Sequence, residues 1–135
     1  MSEENKALVR KLYEAVSSGD LEALGAAISD SVVEHEELPG FPPTKEGTLQ
    51  FFTAVREAFP DFRMDVEDML AEGDKVSVRA TMSGTQKGEF MGIPATGKHV
   101  KVPLSDYLRV QNGQIVEHWG VMDNGAVMQQ LEVAG

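Results

Sequence analysis

The chain of 135 residues has no cysteine, which excludes disulfides, thiol nucleophiles and thiolate-bound metal. It also lacks any apolar run near the roughly 20 residues that cross a bilayer. Basic residues are scarce: 12 Lys and Arg stand against 22 Asp and Glu, a net charge of −10. No basic cluster offsets that charge locally, so phosphate backbones and anionic lipids are repelled, and neither nucleic acid nor membrane is an expected partner. The opening run "MSEENKALVRKLYEAV" predicts a helix rather than a signal peptide, and a cytoplasmic protein is expected. No repeat, low-complexity tract or linker divides the chain, so residues 1–135 are read as one domain.

What is present is a change of period. Leu8, Leu12, Ala15 and Val16 form one helical stripe with Tyr13 at its margin. Asp20 is placed to cap a short second helix carrying Leu21, Leu24 and Ile28. The run "VVEHEELPGFPPT" reads as an irregular connection. After it, Thr44 caps a third helix whose buried side holds Leu49, Phe52, Val55 and Phe59, and Pro60 stops it. From Phe62 the period is two, with Phe62, Met64, Val66, Asp68 and Leu70 on one face. "EGDK" and "QNGQ" are hairpin turns, and the glycine-rich "KGEFMGIPATGK" lies between the strands they join. Helices first and an antiparallel meander after them predict an α+β domain whose bent sheet and helices enclose a pocket.

The Asn112-Gly113 turn sets an expected register. A two-residue turn pairs Gln111 with Gln114, Leu108 with Glu117, Asp106 with Trp119 and Val102 with Asp123. One face then carries Glu117, Asp106, Asp123 and Trp119 among apolar residues, and His118 falls on the other. An apolar wall disfavours charge, so it raises a carboxyl pKa towards working pH, where that group can take and return protons. A bulge in the hairpin would exchange the two faces.

The stretches "EHEELPGFPPTKEGTLQFF", "AFPDF", "EGDKVSVRATMSGTQKGEFMGIPATGK" and "VQNGQIVEHWGVMDNGAVMQQL" together resemble the SnoaL-like polyketide cyclase (ester cyclase) family of the nuclear transport factor 2-like superfamily. The resemblance covers about residues 5–131. It implies a cone-shaped, cystatin-like α+β fold and a homodimer or higher assembly formed through the sheet's outer face. It also implies ring closure of a small apolar carbonyl compound by acid–base catalysis, with no metal or organic cofactor. In that family the aspartate ending the "EHW...D" strand is the acid–base group, and it matches Asp123. Relatives often carry histidine in "GTH.GEF" where this chain has Gln86, which donates a hydrogen bond but exchanges no proton near neutrality.

The expected catalytic residues are therefore Asp123 and His35, with Gln86, Trp119, Phe90, Glu117, Asp106 and Met91 binding substrate. Each has a plainer explanation. Asp123 is a good helix N-cap, Trp119 a core residue, and Glu117 or Asp106 an ion-pair partner. Metal is not expected, because neighbouring side chains of "EHEE" alternate in direction and no HExxH-like spacing exists. Nor do the glycines of "GEFMGIPATG" sit in the strand–helix context of a phosphate loop. Isomerisation is a related chemistry, epoxide hydrolysis would need arginine and paired aspartates around a water, and a non-catalytic ligand-binding or assembly domain is the alternative from another class.

Overall fold

The computed structural model describes residues 2–36, 40–90 and 92–131. Two helices open the chain, α1 (Ser2–Ser18) and α2 (Leu21–Ala27), followed by β1 (Ile28–Glu34) and α3 (Lys45–Ala58). Strands β2 (Arg63–Glu72), β3 (Lys75–Thr85), β4 (His99–Gln111) and β5 (Gln114–Met122) come next, and α4 (Asn124–Leu131) ends it. Both predicted caps form. Asp20 accepts from the Ala23 amide at 3.0 Å, and Thr44 Oγ1 accepts from the Gly47 amide at 3.1 Å. Each satisfies an otherwise unpaired amide of a first helical turn.

The α+β expectation is met, with the strands in one sheet of order β1-β5-β4-β3-β2. β2 to β5 form the antiparallel meander, and β1 joins β5 in parallel at the edge. That edge strand corrects the irregular connection expected from sequence for the start of "VVEHEELPGFPPT". Helix α1 packs across β2 and β3, and α3 against α2 and β1. Val9 and Tyr13 pack with Val76, Val78 and Leu104 in one core cluster, and Leu24, Val55, Phe59 and Phe62 with Val100 and Val102 in another. Full burial of such side chains stabilises by roughly 1.5–3 kcal/mol each. No described helix is long and apolar enough to cross a membrane.

Two bulges decide which residues face inward. In β2 the register shifts between Val66 and Asp68, so Met69 is buried and Leu70 is 69% exposed. The alternation predicted for Asp68 and Leu70 is thereby reversed. In the β4–β5 hairpin the turn forms as expected, with positive φ at Asn112 (52°) and Gly113 (72°). Val110 pairs with Ile115 as predicted, but the next pair is Arg109 with Glu117. Val116 is the extra residue. Beyond it Leu108 faces His118, Asp106 faces Gly120 and Leu104 faces Met122. The faces of β5 are exchanged relative to the unbulged register.

Candidate active site

The cavity between sheet and helices has about 900 Å³ of empty space, open mouth included. Its wall is mainly apolar: Leu12, Val16, Phe52, Phe62, Met64 and Met82 contribute, as do Leu104 and Ile115. Polar side chains on that wall are Tyr13, Glu34, Glu36, Thr48, Asp106 and His118. All but Thr48 belong to one cluster. Tyr13 comes from α1, Glu34 from the end of β1, Asp106 from β4 and His118 from β5, so four separate elements build it.

The cluster is a string of hydrogen bonds. His118 Nδ1 lies 2.6 Å from Glu34 Oε1, and its Nε2 lies 2.8 Å from Asp106 Oδ1. The Tyr13 hydroxyl donates to Asp106 Oδ2, and the Glu36 amide donates to Glu34 Oε1 at 2.9 Å. Burial opposes a charge on His118, but hydrogen bonds to Asp106 and Glu34 outweigh it and push its pKa up to about 10. The ring is thus an imidazolium near neutrality, held on both nitrogens. Burial, then the charge and hydrogen bond of Asp106, push the Tyr13 hydroxyl far up, so it acts as a donor only. Burial also pushes the Glu36 carboxyl up; Asp106 and Glu34 add to this and His118 opposes it.

The sequence expectation for His118, an outward position, is corrected: the Val116 bulge turns it into the cavity. Asp106 alone of the predicted site residues lines the cavity among the described residues. Glu117, Trp119 and His35 do come together, but on the sheet's outer face. His35 Nε2 lies 2.6 Å from Glu117 Oε2, and the His35 ring stacks on Trp119 at 4.8 Å with planes 5° apart. Arg109 holds Glu117 Oε1 at 2.8 Å. Hydrogen bonds from His35 and Arg109 keep the Glu117 carboxyl below its ordinary range. The predicted pocket face is thus split: its β4 member Asp106 points inward, and its β5 members Glu117 and Trp119 point outward.

The remaining predicted residues are placed as follows. Asp123 is exposed, and its Oδ1 accepts from the Ala126 amide at 2.9 Å; it caps α4 and is not on the cavity wall. Gln86 is fully buried, but it faces the glycine-rich loop. Its amide nitrogen donates to Ile93 O at 3.0 Å, and its oxygen accepts from Thr96 N and Oγ1 at 3.1 and 2.7 Å. Phe90 packs edge-on against Phe59 and Phe51, one ring removed from the cavity wall. Met91 lies outside the described residues.

Sequence reasoning missed Tyr13, Glu34 and Glu36 as site residues. The available signal was i, i+2 spacing: Glu34 and Glu36 lie on one side of an extended chain. Adjacent side chains of "EHEE" do alternate, with His35 outward, and it is the alternate residues Glu34 and Glu36 that converge with His118. Glu34, Glu36 and His118 bring ligand atoms within 4.8 Å of one another. That donor set suits a divalent cation, though both His118 nitrogens already face carboxylate oxygens, and an ion would have to displace one.

A model of the SnoaL-like polyketide cyclases matches residues 6–131 of the chain. Among solved structures, IdmH from Streptomyces antibioticus, a candidate polyketide cyclase, is 36% identical with a TM-score of 0.83, over 96% of this chain and 99% of its own. AclR from Streptomyces galilaeus, a candidate hydroxylase, is 30% identical with a TM-score of 0.85, over 97% of both chains. A candidate SnoaL-like polyketide cyclase from Jannaschia sp. CCS1 is 25% identical with a TM-score of 0.85, over 100% of this chain and 96% of its own. No curated protein matches.

Proposed function

The chain belongs to the SnoaL-like polyketide cyclase family, and from that premise we propose that it closes a ring in a small apolar carbonyl compound by proton transfer within the cavity. The observation that carries this reading is the single polar cluster of Tyr13, Glu34, Glu36, Asp106 and His118 in an otherwise apolar wall. Aldol ring closure needs only that pairing. A base removes a proton made acidic by neighbouring carbonyls, the resulting carbanion carbon attacks a second carbonyl, and the alkoxide takes a proton back. Donors fixed in a water-poor cavity stabilise the transient oxyanion more than the same donors in water. His118, the cation of the cluster, supplies that field, and Glu34 and Asp106 fix its orientation. The residues present can perform the proton steps themselves.

The family resemblance assigns the base to Asp123. The geometry favours the interior cluster instead, because Asp123 faces solvent and serves α4. The test is proton exchange at the carbon beside a carbonyl. The purified protein is incubated with 2-tetralone in deuterium oxide and loss of the α-proton signal is followed by proton NMR. Acceleration by the wild-type protein that is lost in Asp106→Asn and His118→Gln, and kept in Asp123→Asn, supports the reading. Equal rates in all four overturn it.

The outer face of the sheet is the proposed surface for a second copy of the chain. Tyr107 and Val33 are exposed there, and exposed apolar surface marks association. Sedimentation velocity of wild type and Tyr107→Lys tests it: a dimer that the variant dissociates is expected, and a monomeric wild type refutes it.

A further inference from the structure

We infer that Glu36 is the side chain that exchanges a proton with the ligand, and that Gly120 is the seat that admits its carboxyl to the cavity. This rests on the acid–base reading above and names the group that performs it. Every other ionisable member of the cluster already holds a partner, and Glu34 Oε2 is their one carboxylate oxygen without a described hydrogen bond. His118 has a carboxylate oxygen on each nitrogen, Asp106 has His118 on one oxygen and Tyr13 on the other, and Glu34 Oε1 holds both the His118 ring and the Glu36 amide. Among the described hydrogen bonds, the Glu36 carboxyl makes none. It lines the cavity and is available to a ligand.

Gly120 explains why Glu36 can be there. It lies on the inward face of β5, paired with Asp106. A β-carbon at 120 would overlap Glu36 Oε1, and would also lie 2.8 Å from His118 Cε1 and 2.9 Å from Asp106 Oδ1. The Glu36 carboxyl therefore occupies the space a side chain at 120 would take. Glycine within a strand weakens it, and it recurs where another group must approach the backbone closely. Here the nearest such group is the end of a flexible side chain, so an added methyl would expel the Glu36 carboxyl first and would also crowd His118 and Asp106.

The surroundings raise the proton affinity of this carboxyl. Glu34 faces it from β1, Asp106 from β4, His118 from β5 and Tyr13 from α1. Burial and the two carboxylates favour its protonated form, and the imidazolium opposes them. A carboxyl so balanced gains and loses its proton nearer neutrality than one in water. In ring closure, ionised Glu36 takes the α-proton and the freed electron pair moves onto the carbonyl oxygen. After the new carbon–carbon bond forms, the same carboxyl returns that proton to the alkoxide. No atom or electron is left over, and the product is an isomer of the ligand.

The test uses 5-nitrobenzisoxazole, an apolar probe. A base takes its ring proton, the N–O bond breaks, and a coloured cyanonitrophenolate forms. Wild type, Glu36→Gln, Glu36→Asp, Gly120→Ala and Asp106→Asn are compared across pH. In parallel, NMR titration follows carboxyl carbons of protein labelled with carbon-13 glutamate, with the Glu36 signal identified by its loss in Glu36→Gln. The expected results are a loss of at least about a hundredfold in Glu36→Gln and Gly120→Ala and partial activity in Glu36→Asp. The Glu36 signal should titrate above the ordinary range in wild type and return to it in Gly120→Ala. A wild type no faster than free acetate overturns the acid–base reading and this inference with it. A fast wild type whose rate survives Glu36→Gln but not Asp106→Asn overturns Glu36 alone. A Glu36 signal unmoved by Gly120→Ala overturns the seat.

Discussion

Raising the pH from 6.5 towards 10 should strip the proton from His118 and with it much of the stability of the fold. The folded-state pKa is raised, from 6.5 to about 10. The sign follows: the stability gained is fully present below 6.5 and is lost as pH climbs through the folded value. At about 1.4 kcal/mol per pH unit, the gap corresponds to an upper bound of roughly 5 kcal/mol. That is large against the roughly 5–15 kcal/mol separating folded from unfolded domains. The Tyr13 hydroxyl is pushed up from 10.0, so its contribution is constant below pH 10 and adds no slope in this range. The assay is urea unfolding followed by circular dichroism at fixed pH steps between 6.5 and 10, on wild type and His118→Gln. The variant leaves Glu34 and Asp106 buried without their cation, so it starts roughly 3–5 kcal/mol lower. Its curve should also be much flatter. A wild-type curve parallel to that of the variant refutes a charged His118 clamped by two carboxylates.

Three further outcomes are expected. Asp123→Ala should lower stability by about 1 kcal/mol through loss of the α4 cap, whereas Asp123→Asn, an equally good cap, should be nearly neutral by thermal melting. Tyr13→Phe leaves Asp106 Oδ2 without its donor in a nearly dry site and should cost about 1–3 kcal/mol in urea unfolding. Gln86→Ala removes three hydrogen bonds that hold the 93–96 segment. Hydrogen exchange at the Thr96 amide should then accelerate by at least tenfold, with the rest of the sheet little changed.

Much of this architecture could be read from local pattern. The Asp20 and Thr44 caps, the stop at Pro60 and the Asn112-Gly113 turn all depend on chemistry within a few residues, and all form as expected. The losses share a cause, since a strand's facing is set by its whole count of residues. Val116 adds one to β5 and the register slip near Glu67 disrupts β2, so the expectations for His118, Trp119, Glu117 and Leu70 invert together. The edge strand β1 was hidden because its parallel partner is distant in sequence and its run "ISDSVVE" lacks clear alternation. Asp123 shows the other kind of error. One residue type serves both caps and proton transfer, and only placement separates the two uses. The candidate site was legible in Asp106, and in Glu34 and Glu36 only through spacing.

The bulge at Val116 has a consequence for how such a chain could change over time. Were Val116 drawn into the ladder opposite Arg109 instead of bulging out, the rest of β5 would rotate by half a turn. The lone tryptophan and Glu117 would then project into the hollow and His118 into solvent, with every amino acid in the strand unchanged. The presence or absence of the bulge thus acts as a two-position selector for the whole inner lining. Homologues with nearly identical "EHW" segments can therefore present opposite chemistries to what they hold.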